Sequence, residues 1–208
     1  MGGDSDEGIG AGSAPQGWHS RGYIPHYDVP GLIQLLTIRL HDSMPAARLA
    51  QLNRTSGKLT PVQIRSALEN HLDAGYGACY LRDPRVASLA QETLLHFDGE
   101  RYNLLAWVVM PNHVHTLLQL RAELPVGKVM QSWKGYIARF SNQLLGRSGD
   151  FWQRDYFDRF ISNEDHYRNA VLYIEGNPVK ARLVSSPEQW PYSSARMKSV
   201  AEKSAPLQ

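Results

Sequence analysis

The chain has 208 residues, of which 42% are hydrophobic and 20% charged, a globular composition with room for one ordinary domain plus tails. A formal net charge of +2 and a pI near 8.7 are too mild to argue for a nucleic-acid partner by themselves. A single cysteine, Cys79, excludes an intrachain disulfide framework and a cysteine-built zinc site.

The first residues are glycine-rich and carry Asp4, Asp6 and Glu7. That is neither a secretory leader nor a segment with anything to bury. The longest apolar stretch, Leu104 to Pro111, is far short of the roughly 20 residues a membrane span requires. The expectation is a cytoplasmic protein with no membrane partner, in which residues 1–18 and 199–208 are disordered tails around one domain, 19–198.

In chain order, Leu32 to His41 alternates around Leu35, Thr37 and Arg39 and reads as a strand. Thr60-Pro61-Val62-Gln63 combines an N-cap, a proline at the first helical position and a capping-box glutamine. Ile64, Leu68 and Leu72 carry that helix to about Asp73. Asp83-Pro84 starts a second helix by the same logic, with Val86, Leu89, Ala90 and Leu94 on one face and Gly99 as its stop. Leu104 to Met110 is short, apolar and branched, which predicts a central strand covered on both faces, and Val114 to Leu120 predicts the next strand.

Val126, Met130, Trp133, Ile137, Phe140 and Leu144 step by three and four residues, as a long amphipathic helix does. Phe151 to Ile161 reads as extended. A last helix is capped at Ser162 and Asp165 and runs to about Asn177, where Pro178 stops it. The order strand, helix, helix, strand, strand, helix, short strand, helix predicts an α+β domain with a mainly antiparallel sheet and helices packed on it.

Two short patterns carry chemistry. His113 and His115 lie two apart on a predicted strand, so both imidazoles point to one face. Such a pair is either half of a divalent-metal site or two hydrogen-bonded histidines on a half-buried strand. Tyr173 and Asn177 are at i and i+4 on the last helix, one turn apart on one face. A phenol is a usable nucleophile toward phosphorus, and an amide oxygen is a hard ligand for Mg²⁺ or Mn²⁺. The alternative is a packed tyrosine and an asparagine before a proline.

Several ordered blocks then acquire a shared meaning. They are Arg21-Gly22-Tyr23-Ile24-Pro25-His26, Trp107 through His115 (WVVMPNHVH), Ser132-Trp133-Lys134-Gly135-Tyr136, Phe151 through Arg159 (FWQRDYFDR), Tyr173 through Lys180 (YIEGNPVK), and Trp190-Pro191-Tyr192-Ser193-Ser194. Over roughly Arg21 to Ala195 the chain resembles the REP-associated tyrosine transposases, a branch of the single-tyrosine HUH transposases. The resemblance implies a ferredoxin-like HUH fold. It places the metal-binding histidines on His113 and His115, a polar ligand on Asn177 and the nucleophile on Tyr173.

It further implies a single-stranded DNA endonuclease and transposase with an Mg²⁺ or Mn²⁺ cofactor. Such an enzyme cuts and rejoins hairpin-forming repeats through a 5′-phosphotyrosine intermediate. Lys134 is a candidate for the active-site phosphate, and Tyr136 is a rival nucleophile that lacks an oxygen ligand at i+4, since position 140 is Phe. Trp152, Gln153, Arg154, Tyr156, Phe157 and Arg159 interleave aromatics with cations, as a single-strand-binding surface does. Two other readings compete: a domesticated DNA- or RNA-binding protein without catalysis, and a metal-dependent hydrolase that uses water. Monomer and homodimer are both open.

Overall fold

The computed structural model describes residues 17–20, 25–28, 31–44, 61–121 and 124–204. Within them the chain runs β1 (Gly17–Ser20), β2 (Pro25–Asp28), β3 (Ile33–Arg39), α1 (Pro61–Asp73), α2 (Pro84–Leu95), β4 (Tyr102–Val109), β5 (His113–Leu120), α3 (Val126–Leu144), β6 (Phe157–Phe160), α4 (Glu164–Lys180) and α5 (Ser194–Ser204), with 3-10 turns at Tyr80–Arg82 and Pro187–Gln189. From β3 to α4 this is the order expected from the sequence.

Strands β4, β5, β3 and β6 lie side by side in that order, every neighbouring pair antiparallel, with helices packed on the sheet: an α+β fold. Side-chain alternation along β5 divides the core in two. Val114, Leu118 and Leu120 face one way and pack with Val86, Ala90 and Leu94 of α2 and with Met130, Trp133 and Ile137 of α3. Leu117 faces the other way and packs with Ala106, Val108, Ala170 and Ile174, so α4 packs on that face of the sheet. His113 and His115 share the α4 face by the same parity.

Local signals explain most element boundaries. Asp83 caps α2 by accepting the Arg85 backbone N–H at 2.9 Å, with Pro84 at the first helical position. The helix ends at Leu95, and Gly99, at φ +80°, makes the turn into β4. In α3, Val126, Met130, Trp133 and Ile137 are buried while Phe140 is half-buried and Leu144 exposed, so the apolar stripe runs off the sheet at its C-terminal end. The Trp133 indole donates to the Tyr102 hydroxyl at 3.1 Å, and that hydroxyl donates to the Leu94 carbonyl at 2.7 Å, which satisfies both buried polar tips.

Four expectations are corrected. Strand β4 is an outer strand of the sheet, not a central one. Its apolar run is covered along the edge as well as on both faces: the Val109 N–H donates to the Tyr192 carbonyl at 2.9 Å, the Trp190 indole donates to the Val109 carbonyl at 2.9 Å, and Val108 bridges Ser193. Helix α4 is capped by Asn163, whose side chain accepts the His166 N–H at 2.8 Å, rather than by Ser162 or Asp165.

The same helix continues through Pro178 to Lys180. A proline removes one N–H, but its own φ suits a helix. The turn is closed behind it by the Ala181 N–H to the Asn177 carbonyl at 2.9 Å. Last, residues 199–204, expected to be tail, belong to α5. At the other end Gly17 and Trp18, also expected to be tail, pair with Asp28 and Tyr27 in the β1–β2 ladder. Residues 1–16 and 205–208 of the expected tails, Thr60 and the Arg21–Ile24 part of the first motif block lie outside the described residues.

Candidate active site

Each histidine is held by a neighbour, and at His113 that neighbour settles which ring nitrogen carries the proton. Nδ1 of His113 lies 2.7 Å from Oδ1 of Asn112, an oxygen that only accepts, so Nδ1 is the protonated nitrogen. Asn112 cannot present its amide nitrogen there. Its Nδ2 donates to the Leu72 and Tyr76 carbonyls at 3.1 and 3.0 Å. Nε2 of His113 is therefore a bare lone pair, fully buried and without a hydrogen-bond partner.

His115 sits opposite Thr37 in the β3–β5 register, and its Nδ1 is 2.7 Å from the Thr37 hydroxyl. Its Nε2 is 3.2 Å from the hydroxyl of Tyr173. The two imidazoles meet edge to face with centroids 4.6 Å apart, and the His115 and Tyr173 rings do so at 5.2 Å. Burial pushes both imidazoles toward the neutral form, His113 well below the usual histidine range and His115 to about 3, with the Lys180 charge adding to the effect.

Helix α4 brings Tyr173 to His115 and carries Asn177 one turn further along the same helix face. Asn177 is fully buried, and neither atom of its amide has a hydrogen-bond partner among the described residues. Burial raises the Tyr173 phenol above its usual range. The negative charges of Glu69 and Asp73 raise it further, and the Asn177 amide opposes them. Glu69 and Asp73 come from the last turns of α1, whose C-terminal end the Asn112 amide ties to the histidine strand. Asp73 is paired with Lys180 at 2.7 Å, and the Lys180 Nζ stands 6.0 Å from the centroid of the Tyr173 ring.

This donor set fits a divalent ion. The unshared electron pair of His113 Nε2, the neutral imidazole of His115 and the unpartnered amide oxygen of Asn177 are the nitrogen and oxygen donors that Mn²⁺ and Mg²⁺ take. Asn112 and Thr37 orient the ring nitrogens as supporting groups do in metal sites. Among the described residues no group of three or more His, Cys, Asp and Glu side chains is placed to hold a metal.

The other sequence candidates lie elsewhere. Lys134 donates from Nζ to the Gln153 and Arg154 carbonyls, at 2.7 and 2.6 Å, and its helix packs on the sheet face away from the histidines. It fastens the loop before β6 rather than serving the tyrosine. Tyr136, the rival nucleophile, is half exposed on the same helix and pairs with Phe140 at 4.5 Å.

Trp152 and Tyr156 are buried in the main core, so their faces are closed to bases. Phe157 is half-buried with the Arg39 guanidinium 4.9 Å from its centroid. Gln153 bonds the backbone at both ends, its N–H to the Arg39 carbonyl and its amide to the His41 carbonyl. Arg154 and Arg159 alone of the six are exposed. A cavity of about 420 Å³ lined by Lys134, Arg154, Asp155 and Tyr156 adjoins this loop.

Asn112, Thr37, Glu69, Asp73 and Lys180 went unassigned in the sequence. Asn112 and Lys180 lie within motif blocks, and Thr37 is one of the alternating residues of the first predicted strand. For Glu69 and Asp73 no sequence signal exists, because only the tertiary placement of α1 brings them to Tyr173.

Residues 83–177, which contain His113, His115, Tyr173 and Asn177, match the family described as "Transposase IS200 like". The chain is also similar to REP-associated tyrosine transposases, the family the motif blocks resemble. The protein of that name from Escherichia coli K12 is 30% identical over 95 residues, 45% of this chain and 54% of the relative. A relative from Haemophilus influenzae is 29% identical over 117 residues, 51% of this chain and 65% of its own length. The chain thus spans between half and two thirds of these relatives.

A solved structure of a REP-associated tyrosine transposase bound to a REP hairpin shares the fold, with a TM-score of 0.56 over 88% of each chain at 19% identity. Among the described residues no helix is long and apolar enough to cross a membrane.

Proposed function

We propose that the chain is a metal-dependent, single-tyrosine nuclease and strand transferase acting on single-stranded DNA, with hairpin-forming repeats as its substrate class. The observation that carries this reading is the 3.2 Å approach of the Tyr173 hydroxyl to Nε2 of His115, beside two buried polar groups, His113 Nε2 and the Asn177 amide, that have no hydrogen-bond partner among the described residues. The substrate class rests on the motif resemblance and on the similarity to the E. coli relative.

In this reading His113, His115 and Asn177 hold Mg²⁺ or Mn²⁺, which when bound polarises the scissile phosphate and offsets the charge that grows on it. Asn112 keeps the His113 Nε2 unprotonated and aimed, and Thr37 holds the His115 ring in place. Tyr173 is carried on a helix rather than a loop, so its oxygen is presented in one place for in-line attack. The Oη–P bond forms, the P–O3′ bond breaks, the phenol gives up its proton and the departing 3′-oxygen gains one. The reverse attack by a 3′-hydroxyl frees the tyrosine and joins strands without an external energy source. Burial and two carboxylates hold the phenol protonated in the resting site, so its loss of a proton would be favoured by the positive charge of the metal.

The test is incubation of the full chain with labelled single-stranded hairpins from the repeats flanking its gene, with Mg²⁺ or Mn²⁺, run on a denaturing gel. A covalent adduct absent from Tyr173→Phe and His113→Ala is expected. Cutting without an adduct would replace this reading with a water-using hydrolase, and binding without cutting with a DNA-binding protein.

A further inference from the structure

The cation singled out in the sequence for the scissile phosphate, Lys134, has both of its hydrogen bonds on loop carbonyls. A different lysine stands at the site. Because α4 runs through Pro178, Lys180 falls at i+7 from Tyr173 and i+3 from Asn177, on the face those residues share. Its Nζ is 6.0 Å from the Tyr173 ring centroid, and its charge is felt by both His113 and His115. Its side chain is 47% exposed, so it is open to solvent and to an incoming strand, while its partner Asp73 is only 9% exposed.

We propose that Lys180 is the phosphate-gripping cation of this site and that Asp73 occupies it until DNA arrives. The inference rests on the nuclease reading above. A scissile phosphate placed for attack by Tyr173 must lie against the hydroxyl, beside the histidine pair and within reach of a lysine stem rooted two turns along the same helix. One phosphate oxygen then takes the ammonium from Asp73. An ion pair with one exposed partner is screened and easily exchanged, and the exchange leaves the positive charge where the transition state gathers negative charge. The carboxylate also keeps an unscreened cation from facing the metal ligands in the absence of DNA, since like charges there would oppose ion binding.

The test compares Lys180→Met, Lys180→Arg and Asp73→Asn in the full chain, using the flanking-repeat hairpins and Mn²⁺. Initial rates of adduct formation are read on denaturing gels, and hairpin affinity is read by anisotropy in a Tyr173→Phe background. Lys180→Met is expected to slow adduct formation by about 100-fold, the loss seen when one transition-state donor is removed. It should also lower the salt dependence of binding by about 0.7 in log–log slope, one phosphate contact to a single strand. Lys180→Arg should recover most of the rate, and Asp73→Asn should bind hairpin as tightly as the parent or more so.

Adduct formation by Lys180→Met at the wild-type rate would overturn the proposal while leaving the nuclease reading intact. So would equal slowing by Asp73→Asn and Lys180→Met, which would make the ion pair a structural tie. A wild-type chain that forms no adduct on any of these hairpins would overturn both.

Discussion

The Tyr173 hydroxyl and Nε2 of His115 are 3.2 Å apart, so the atom that would attack phosphorus touches the atom that would hold the metal. The two groups share a hydrogen bond, so an ion held at that nitrogen would compete with the phenol for it. Tyr173 and His115 thus form one hydrogen-bonded unit, set by a strand and a helix on the same face of the sheet.

Tyr173→Phe removes a competitor for His115 and nothing that binds the ion. Its affinity for Mn²⁺, measured by titration calorimetry, should equal or exceed that of the wild type. A marked loss would mean that Tyr173 is itself a ligand.

Thr37→Val keeps the shape of the side chain but removes the partner of His115 Nδ1. Metal affinity should fall by roughly 10- to 100-fold, as it does when a supporting group behind a ligating histidine is lost. Far-UV circular dichroism should be unchanged. Asn112→Ala should show the same metal defect and also lose about 1–3 kcal/mol in urea denaturation, because the Leu72 and Tyr76 carbonyls lose their donor as well.

How much of this was legible in the sequence depends on the kind of interaction. Helix caps and stops are local chemistry, so Asp83-Pro84 announced α2, and a period of two put His113 and His115 on one face. Tyr173 and Asn177 followed from helical spacing. What failed was non-local. The apolar run of β4 reads as a central strand because sequence cannot tell a strand buried by neighbours from an edge covered by Trp190 and Tyr192. Pro178 reads as a stop because its one missing N–H is visible, whereas the turn closed by Ala181 behind it is not. Trp152 and Tyr156 read as base-stacking groups because exposure is not written in residue type.

Trp152→Ala should act through the core. About 3–5 kcal/mol of stability should be lost, as when a large buried aromatic is truncated, and whatever folded protein remains should bind hairpin normally. Arg154→Ala should do the reverse: weaker hairpin binding with a smaller salt dependence, at unchanged melting temperature. The opposite pattern in either variant would return Trp152 to the DNA surface.

Acid should weaken the metal-free protein well before carboxylates titrate. In the unfolded chain the histidines take protons near pH 6.5, whereas folded His115 resists down to about 3 and His113 is held well below its usual range. Stability is therefore fully present above pH 6.5 and falls as pH drops from there toward 3. For His115 the slope is about 1.4 kcal/mol per unit, or about 2 kcal/mol by pH 5, and His113 acts in the same direction. Urea midpoints between pH 7 and 5 measure this, and His115→Phe should remove its share of the slope.

The most direct measurement is where the DNA ends up. Wild-type protein is incubated with the cleavable hairpin and Mn²⁺, digested with trypsin and nuclease, and the nucleotide-bearing peptide is sequenced by mass spectrometry. A 5′-phosphonucleotide on Tyr173 is the expected result. An adduct on Tyr136, or on any residue away from the His113–His115 pair, would contradict the account.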